Sequence, residues 1–296
     1  MKLKIIANPH DLNSIQESWF VQNIVFKGAQ IGVGFDPVKD ANRTIVYLEL
    51  NQINHGLIQA IKDIGSKVVL YHMGDEKAAV NRDGYVQCDL VIRNYFFNDI
   101  FCSVGLDEKI IWAPCGFKSG VGPRDVINLK SIDERQYLSV FSGWLGNQQS
   151  LNNERLVFGD AVKKCGSNLF LSATNGFGEG WNVGLYAAMM ESAIFAPCPA
   201  GNSSETIRFY DALELGCIPI SLRHEYLASK IALAEFGPPP VALLDSWEQL
   251  PDFLKEMEIK LHQSPRLMQE WQTNCINWWA SFKQNKCSSI AKRLRD

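Results

Sequence analysis

The 296-residue chain has no apolar run near the roughly 18–20 residues that a membrane-crossing helix requires, so no helical span is expected. Lys4 interrupts the apolar start and Asn8-Pro9-His10-Asp11 ends it. A secretory signal is therefore not expected, and the chain reads as a soluble, cytoplasmic protein. None of the eight cysteines (Cys88, Cys102, Cys115, Cys165, Cys198, Cys217, Cys275 and Cys287) forms a Cys-x-x-Cys pair, and most lie in apolar surroundings. That pattern suits reduced, buried thiols and argues against a zinc site or a disulfide framework. Positive charge is not in excess either: 29 Lys and Arg against 32 Asp and Glu leave a net charge of −3. No basic field exists to hold nucleic acid or an anionic membrane, so any bound anion must be held by a local device. No Gly-x-Gly-x-x-Gly follows the first apolar run, which disfavours a dinucleotide dehydrogenase. Nothing resembles Asp-x-Asp at a strand end, the usual holder of a metal-bound diphosphate, so no metal site is expected.

Short β-branched runs are present, and they alternate with amphipathic stretches. Lys4–Ala7, Thr44–Leu50, Lys67–His72, Leu90–Tyr95 and Ile110–Ala113 read as buried strands. Leu12–Phe26 and Ile53–Ile64 read as helices, the second closed by Gly65. Continuous apolar strands separated by helices predict a parallel sheet covered on both faces. The segment Pro114–Pro123, dense in glycine and proline, reads as a linker. Strand–helix alternation then resumes: strand Tyr137–Ser142, helix Asn153–Cys165, strand Asn168–Ala173, helix Tyr186–Ser192, strand Ile194–Pro197, helix Thr206–Leu215 and strand Cys217–Ser221. The predicted fold class is α/β, with two Rossmann-like domains facing across a cleft. Residues 1–122 form the first, residues 123–263 the second, and residues 264–296 a helical segment crossing back to the first. The basic tail (Lys283, Lys286, Lys292, Arg293, Arg295) reads as a solvated helix, and Trp278 and Trp279 as packing residues.

The chemistry concentrates after Pro197. A strand ends there, a Gly201-Asn202-Ser203-Ser204 turn follows, and a helix is expected to begin near Ser204. The first backbone N–H groups of a helix lack partners and its dipole favours negative charge, so such a start is an anion site. Ser203, Ser204 and Thr206 add hydroxyl donors, and Arg208, one turn in, offers a fork of donors to a phosphate. Glu205 at the same end suits a ribose, whose hydroxyls need acceptors. Phosphate donors beside a ribose acceptor imply a nucleoside diphosphate. The competing reading is that Ser204 only caps the helix and Glu205 only complements its dipole.

Ser204–Ile220 resembles the donor-binding segment of exostosin-like glycosyltransferases. Thr206, Arg208, Asp211, Ala212, Leu213 and Gly216–Pro219 match its Ser/Thr-x-Arg-x-x-Asp/Glu-Ala-Leu element and the Gly-Cys-Ile-Pro that follows. Tyr186, Met189, Ser192, Phe195, Pro197 and Gly201 resemble the approach to that segment, and Phe141-Ser142-Gly143-Trp144 with Arg155 resembles the start of the nucleotide domain. His72-Met73-Gly74-Asp75-Glu76 and Val91-Ile92-Arg93-Asn94-Tyr95 are similar to a subgroup with ribitol xylosyltransferase-like and chloroviral exostosin-like enzymes. The resemblance implies the GT-B fold and an inverting transfer from a UDP-sugar, xylose first, to a hydroxyl on a small glycan. It implies no metal cofactor, and donor contacts from Ser142, Gly143, Arg155, Ser203, Ser204, Glu205, Thr206 and Arg208. Unlike secretory-pathway members, this sequence shows neither an anchor nor a disulfide pattern.

Inversion requires a base for the acceptor hydroxyl. Asp75 is the first candidate, Glu76 the second and His72 the third, because a buried strand delivers them to a sheet's carboxyl edge, where open α/β sheets bind ligands. Asp75 also suits a cap for the next helix. Arg93 and Glu49, at neighbouring strand ends, are candidates for the acceptor side; Arg93 equally suits an ion pair. Phe177-Gly178-Glu179-Gly180-Trp181 reads as a turn that could lie near the nucleotide. A GT-B epimerase or hydrolase, or a non-catalytic nucleotide or glycan binder, are the alternative functions; the oligomeric state is left open.

Overall fold

The computed structural model describes residues 4–6, 19–28, 45–49, 52–102, 108–146, 153–176 and 179–295. They fall into two compact units, one of Met1–Gly116, Ser229–Gly237 and Phe282–Asp296, the other of Phe117–Ala228 and Pro238–Ser281. The division falls at Gly116–Phe117 rather than after residue 122, and residues 264–296 form no piece of their own. The last helix has residues in both units.

The first unit carries a five-stranded parallel sheet in simple sequence order, β1 (Lys4–Ile6), β2 (Ile45–Glu49), β3 (Val68–His72), β4 (Leu90–Arg93) and β5 (Ile110–Trp112). β3 and β4 are buried along their whole length, as a parallel strand covered on both faces should be. Helix α1 (His55–Asp63) starts where the Asn54 side chain accepts the Leu57 N–H at 3.0 Å. It buries Ile58 and Ile61 and stops before Gly65, whose φ of +73° ends the helical path. A short α2 (Asn98–Phe101) follows β4. Phe26 meets the Tyr71 ring edge-on at 5.8 Å, and Trp112 meets Phe282 at 6.2 Å. Each such fully buried ring contributes about 1.5–3 kcal/mol. The expected helix over Leu12–Phe26 lies outside the described residues up to residue 18; its remainder includes a π-helical stretch, Val21–Phe26.

The second unit contains β6 (Tyr137–Trp144), α3 (Asn153–Val162), β7 (Phe170–Thr174), α4 (Val183–Glu191), β8 (Ala193–Pro197), α5 (Ile207–Glu214), β9 (Ile218–Leu222), α6 (Glu225–Ala228), β10 (Ala242–Leu244), α7 (Leu250–Gln263) and most of α8 (Pro265–Arg295). Its sheet is also parallel, with order β10-β9-β8-β6-β7. The chain steps from β6 outward to β7, then returns past β6 to β8 and continues the other way. That reversal opens a crevice at the carboxyl ends of β6 and β8, where ligands of open α/β sheets bind. Among the described residues, the strands of the first sheet follow one another in one direction, with no such reversal. Phe158 anchors the second core, meeting Phe141 at 4.7 Å and Trp247 at 4.9 Å.

Most expected strands and helices recur within a few residues. β10 and α7 were not anticipated. Lys286, expected in a solvated helix, is instead buried and pairs with Glu235 at 2.5 Å. Among the described residues, no helix is long and apolar enough to cross a membrane.

Candidate functional site

The crevice of the second sheet gathers most of the residues expected to hold a nucleotide. Ser142 and Gly143 lie at the end of β6, and the turn 201–206 lies between β8 and α5. The helix starts later than the sequence suggests. Thr206 occupies its N-cap position with extended backbone and no side-chain cap bond, and the first helical residue is Ile207. Local polar bonds delay it: Ser203 Oγ accepts the Glu205 N–H at 3.3 Å, and the Ser203 carbonyl accepts the Gly201 N–H at 3.0 Å. Such hydroxyl and carbonyl turns compete with helical geometry. Ser203 and Glu205 are buried, while Ser204 and Thr206 are partly exposed. Glu205 Oε1 accepts the Tyr210 hydroxyl at 2.8 Å, tying the turn to α5.

Arg208, half-buried on the first turn of α5, has its guanidinium carbon 4.4 Å from the Phe141 ring centroid and 6.0 Å from that of Tyr186. Its Nε and Nη1 are buried and have no hydrogen-bond partner among the described residues. A guanidinium lying on aromatic faces with donors unused is a site awaiting an anion, because buried donors left unpaired are costly. Gly143 makes the room, since a Cβ there would come within 2.6 Å of Arg208 Nη2.

Arg155 does not share this freedom. Its Nε donates to the Ala200 carbonyl at 2.8 Å, and its Nη1 donates to the Trp144 carbonyl. The neighbouring Glu154 takes the other end of the same residue, accepting the Ala200 N–H at 2.8 Å, and also accepts Trp247 Nε1–H at 2.8 Å. Residues 154 and 155 thus hold the loop after β8 by the N–H and the carbonyl of one residue, Ala200. Burial, reinforced by the charge of Arg208 and opposed by Glu154, lowers the Arg155 pKa to about 10, so it stays protonated at neutral pH. Burial alone would raise the Glu154 carboxyl, but bonds from His224, Ala200 and Trp247 outweigh it and hold the pKa below the usual range. Nε and Nη1 of Arg155 therefore brace the loop beside the expected phosphate site.

Three residues at three-residue spacing run along α5: Arg208, Asp211 and Glu214. Buried Asp211 accepts the Lys118 N–H on one oxygen and the Tyr186 hydroxyl on the other, both at 3.0 Å. Glu214 accepts the Arg124 N–H at 2.6 Å and Trp279 Nε1–H at 2.7 Å. Burial raises the Asp211 carboxyl, with Lys118 the strongest opposing influence. Sequence reasoning missed Lys118 and Glu154 as parts of this neighbourhood, whereas Tyr186 was placed in the approach to it by resemblance. Phe177 and Gly178 lie outside the described residues; Gly180 sits where a Cβ would be 4.0 Å from Ser142 Oγ.

In the first unit, the candidate base residues lie at the carboxyl ends of β3 and β4. Asp75 is buried and fully engaged. Its Oδ1 accepts the N–H groups of Ala79 (2.8 Å) and Val80 (3.4 Å), and its Oδ2 pairs with Arg93 at 3.0 Å. No helix begins at Glu76, so the carboxylate ties down the turn 76–80 instead of capping a helix, and this engagement with the Arg93 ion pair corrects the expectation of Asp75 as a ready base. Arg93 is equally buried and also donates to Tyr85, so it braces the strand ends rather than facing an acceptor. His72 Nδ1 lies 2.5 Å from the Tyr85 hydroxyl; burial, reinforced by the Arg93 charge and opposed by Asp75, pulls its pKa down to about 4. It is neutral at physiological pH. Glu76 remains partly exposed, with Oε1 3.4 Å from the Tyr95 hydroxyl. Both Tyr95 (φ +56°) and Ala78 (φ +53°) adopt left-handed backbone, unusual for residues with side chains. Glu49 ends β2 in register with His72.

Two findings from known proteins bear on this geometry. The RXYLT1 C-terminal domain matches residues 128–295, more than half of the chain. Crystal structures of HepE (Alr3699) from Anabaena share the fold: the complex with UDP superposes with a TM-score of 0.57 at 11% identity, covering 99% of this chain and 100% of HepE. The HepE complex with UDP-glucose gives 0.55 at 10% identity with the same coverage. A glycosyltransferase from Rickettsia africae gives 0.50 at 9% identity, covering 99% and 98%. No curated protein matches the sequence. These likenesses identify the two-sheet architecture as GT-B. With its second unit and last helix matched by that domain, the chain belongs to the RXYLT1 C-terminal domain family, within the exostosin-like glycosyltransferases.

Proposed function

We propose that this protein transfers a sugar from a UDP-sugar to a carbohydrate hydroxyl with inversion, and that it does so without a divalent metal. One observation carries the reading. Arg208 stands at the carboxyl-edge crevice of the second sheet with buried Nε and Nη1 donors unpartnered among the described residues. A diphosphate supplies the missing acceptors, and the first N–H groups of α5 add to the same field. Glu205 receives a ribose hydroxyl; a carboxylate has about four lone-pair directions, so its bond to Tyr210 does not preclude this. HepE, with the same fold, has been solved with UDP and with UDP-glucose, which supports a uridine nucleotide here.

Charge on the departing UDP is neutralised by side chains, so bound metal has no required part. Xylose is the first donor sugar to test, ahead of glucuronate, galactose and N-acetylglucosamine. The acceptor is a hydroxyl of a small glycan. Glu76 is the assigned base, because it is the carboxylate of the three candidates that keeps solvent access. A cytoplasmic location is part of the reading, supported by eight cysteines without a disulfide.

The test is a calorimetric and thermal-shift panel of nucleotides and nucleotide sugars with EDTA present. Selective stabilisation by UDP and one UDP-sugar is the expected result. Absence of a response to every nucleotide would reduce the 203–208 segment to a helix start and remove the enzyme reading. Strict dependence on added manganese would contradict the metal-free mechanism.

A further inference from the structure

Lys118 sits in the second residue of the second unit, at the start of a turn closed by the Val121 N–H on its carbonyl at 3.2 Å. Its backbone is fixed by Asp211, and its side chain is not used in that bond. The ammonium instead lies 3.6 Å from the centroid of the Tyr186 ring, the same ring that Arg208 approaches at 6.0 Å. Tyr186 is itself held by its hydroxyl on Asp211. Two cations therefore share one aromatic ring, no further from each other than the sum of those distances. Asp211, the carboxylate acting on Lys118, has its two oxygens committed to a backbone N–H and a phenol. Burial, with the Arg208 charge acting in the same direction, makes the Lys118 ammonium easier to deprotonate, while Asp211 opposes this.

Two positive charges on one buried ring raise each other's cost, and a counter-anion carrying more than one charge relieves both. Helix start and Arg208 alone suffice for one phosphate; they do not explain the second cation. We propose that Lys118 is a second cation of the nucleotide site, contacting the other phosphate and selecting nucleoside diphosphates over monophosphates. The assignment rests on the nucleotide reading above. It also makes the glycine- and proline-rich stretch at the start of the second unit part of the donor site.

The experiment compares UDP and UMP by calorimetry, with EDTA present, on the full chain and its Lys118→Gln, Lys118→Met and Lys118→Arg variants. Met keeps the aliphatic stem on the Tyr186 ring and removes only the charge. Loss of a charge-assisted bond to phosphate predicts about tenfold weaker UDP binding for Gln and Met, with UMP affinity changed less than about twofold. Arg is expected to restore most of the difference. Unchanged UDP affinity in Gln and Met would overturn the assignment, and so would equal losses for UDP and UMP. Binding of neither nucleotide by the unaltered protein would overturn the nucleotide reading itself, a result distinguishable from both.

Discussion

The backbone of Gly143 faces the guanidinium of Arg208 so closely that a methyl group at position 143 would stand 2.6 Å from Nη2. The φ of +146° at Gly143 is a second constraint, since residues with side chains rarely adopt it. Gly143→Ala should therefore displace Arg208 while removing no charge. The expected outcome is about tenfold weaker UDP binding, measured by calorimetry. Unchanged affinity would separate Arg208 from the phosphate.

Asp75 and Glu76 are neighbours in sequence with opposite predicted effects. Asp75→Asn leaves the buried Arg93 without its anion, and breaking such a pair costs about 3–5 kcal/mol. Its melting temperature should fall sharply, with transfer per folded molecule largely retained. Glu76→Gln should shift stability by less than about 0.5 kcal/mol, as surface changes usually do, and abolish transfer while UDP affinity holds. The reverse pattern would return the base to Asp75.

His72 predicts an acid-sensitive first unit. Its pKa is about 4 in the folded chain against an ordinary 6.5, so between these values the unfolded chain binds more protons. The stability this contributes is full above pH 6.5 and is lost as pH falls towards 4. The span corresponds to something on the order of 3 kcal/mol. Carboxylates titrate in the same range, so the informative quantity is a difference. The gap in melting temperature between the native chain and His72→Asn should narrow on acidification. A constant gap would mean that the ring is not held neutral by the fold.

Cysteine reactivity offers an independent check of the packing. Cys102 is exposed and the other seven are buried. Burial pushes the thiols of Cys88 and Cys275 up to about 12, and those of Cys165, Cys217 and Cys287 up to about 11. Thiolates are the reactive species, so a disulfide reagent should titrate one thiol quickly and the rest only on unfolding. Several fast thiols, with the fast phase surviving Cys102→Ser, would contradict the packing.

The strands were legible because parallel strands covered on both faces leave unbroken apolar runs, as in Val68–His72. The position of Arg208 was legible because a strand, a polar turn and a helix follow in immediate succession. What could not be read is whatever depends on residues far apart in sequence. Lys118 lies in a glycine- and proline-rich stretch without periodicity, and acquires meaning only through Asp211, 93 positions away. Glu154 reads as an ordinary helix residue until Ala200 and Trp247 meet it. The turn at 201–205 misled about the helix start because Ser203 binds the Glu205 N–H in place of a helical bond. Asp75 shows the same limit: a strand-end carboxylate before a turn fits catalysis and capping equally, and only the position of Arg93 decides. β10 has three residues, too few for any pattern.

A sheet that winds one way only, as the first unit's does, provides no ready-made hollow at its edge. Whatever the first unit recognises must then be spelled out by its surface turns, Gly74–Val80 foremost. That turn is fastened to the strand ends, because Asp75 holds the Ala79 and Val80 N–H groups on one oxygen and pairs with Arg93 of β4 on the other. A change confined to the side chains at 77–80, with Asp75 and Glu76 kept, therefore rewrites the surface of this turn while β3 and β4 stay tied together.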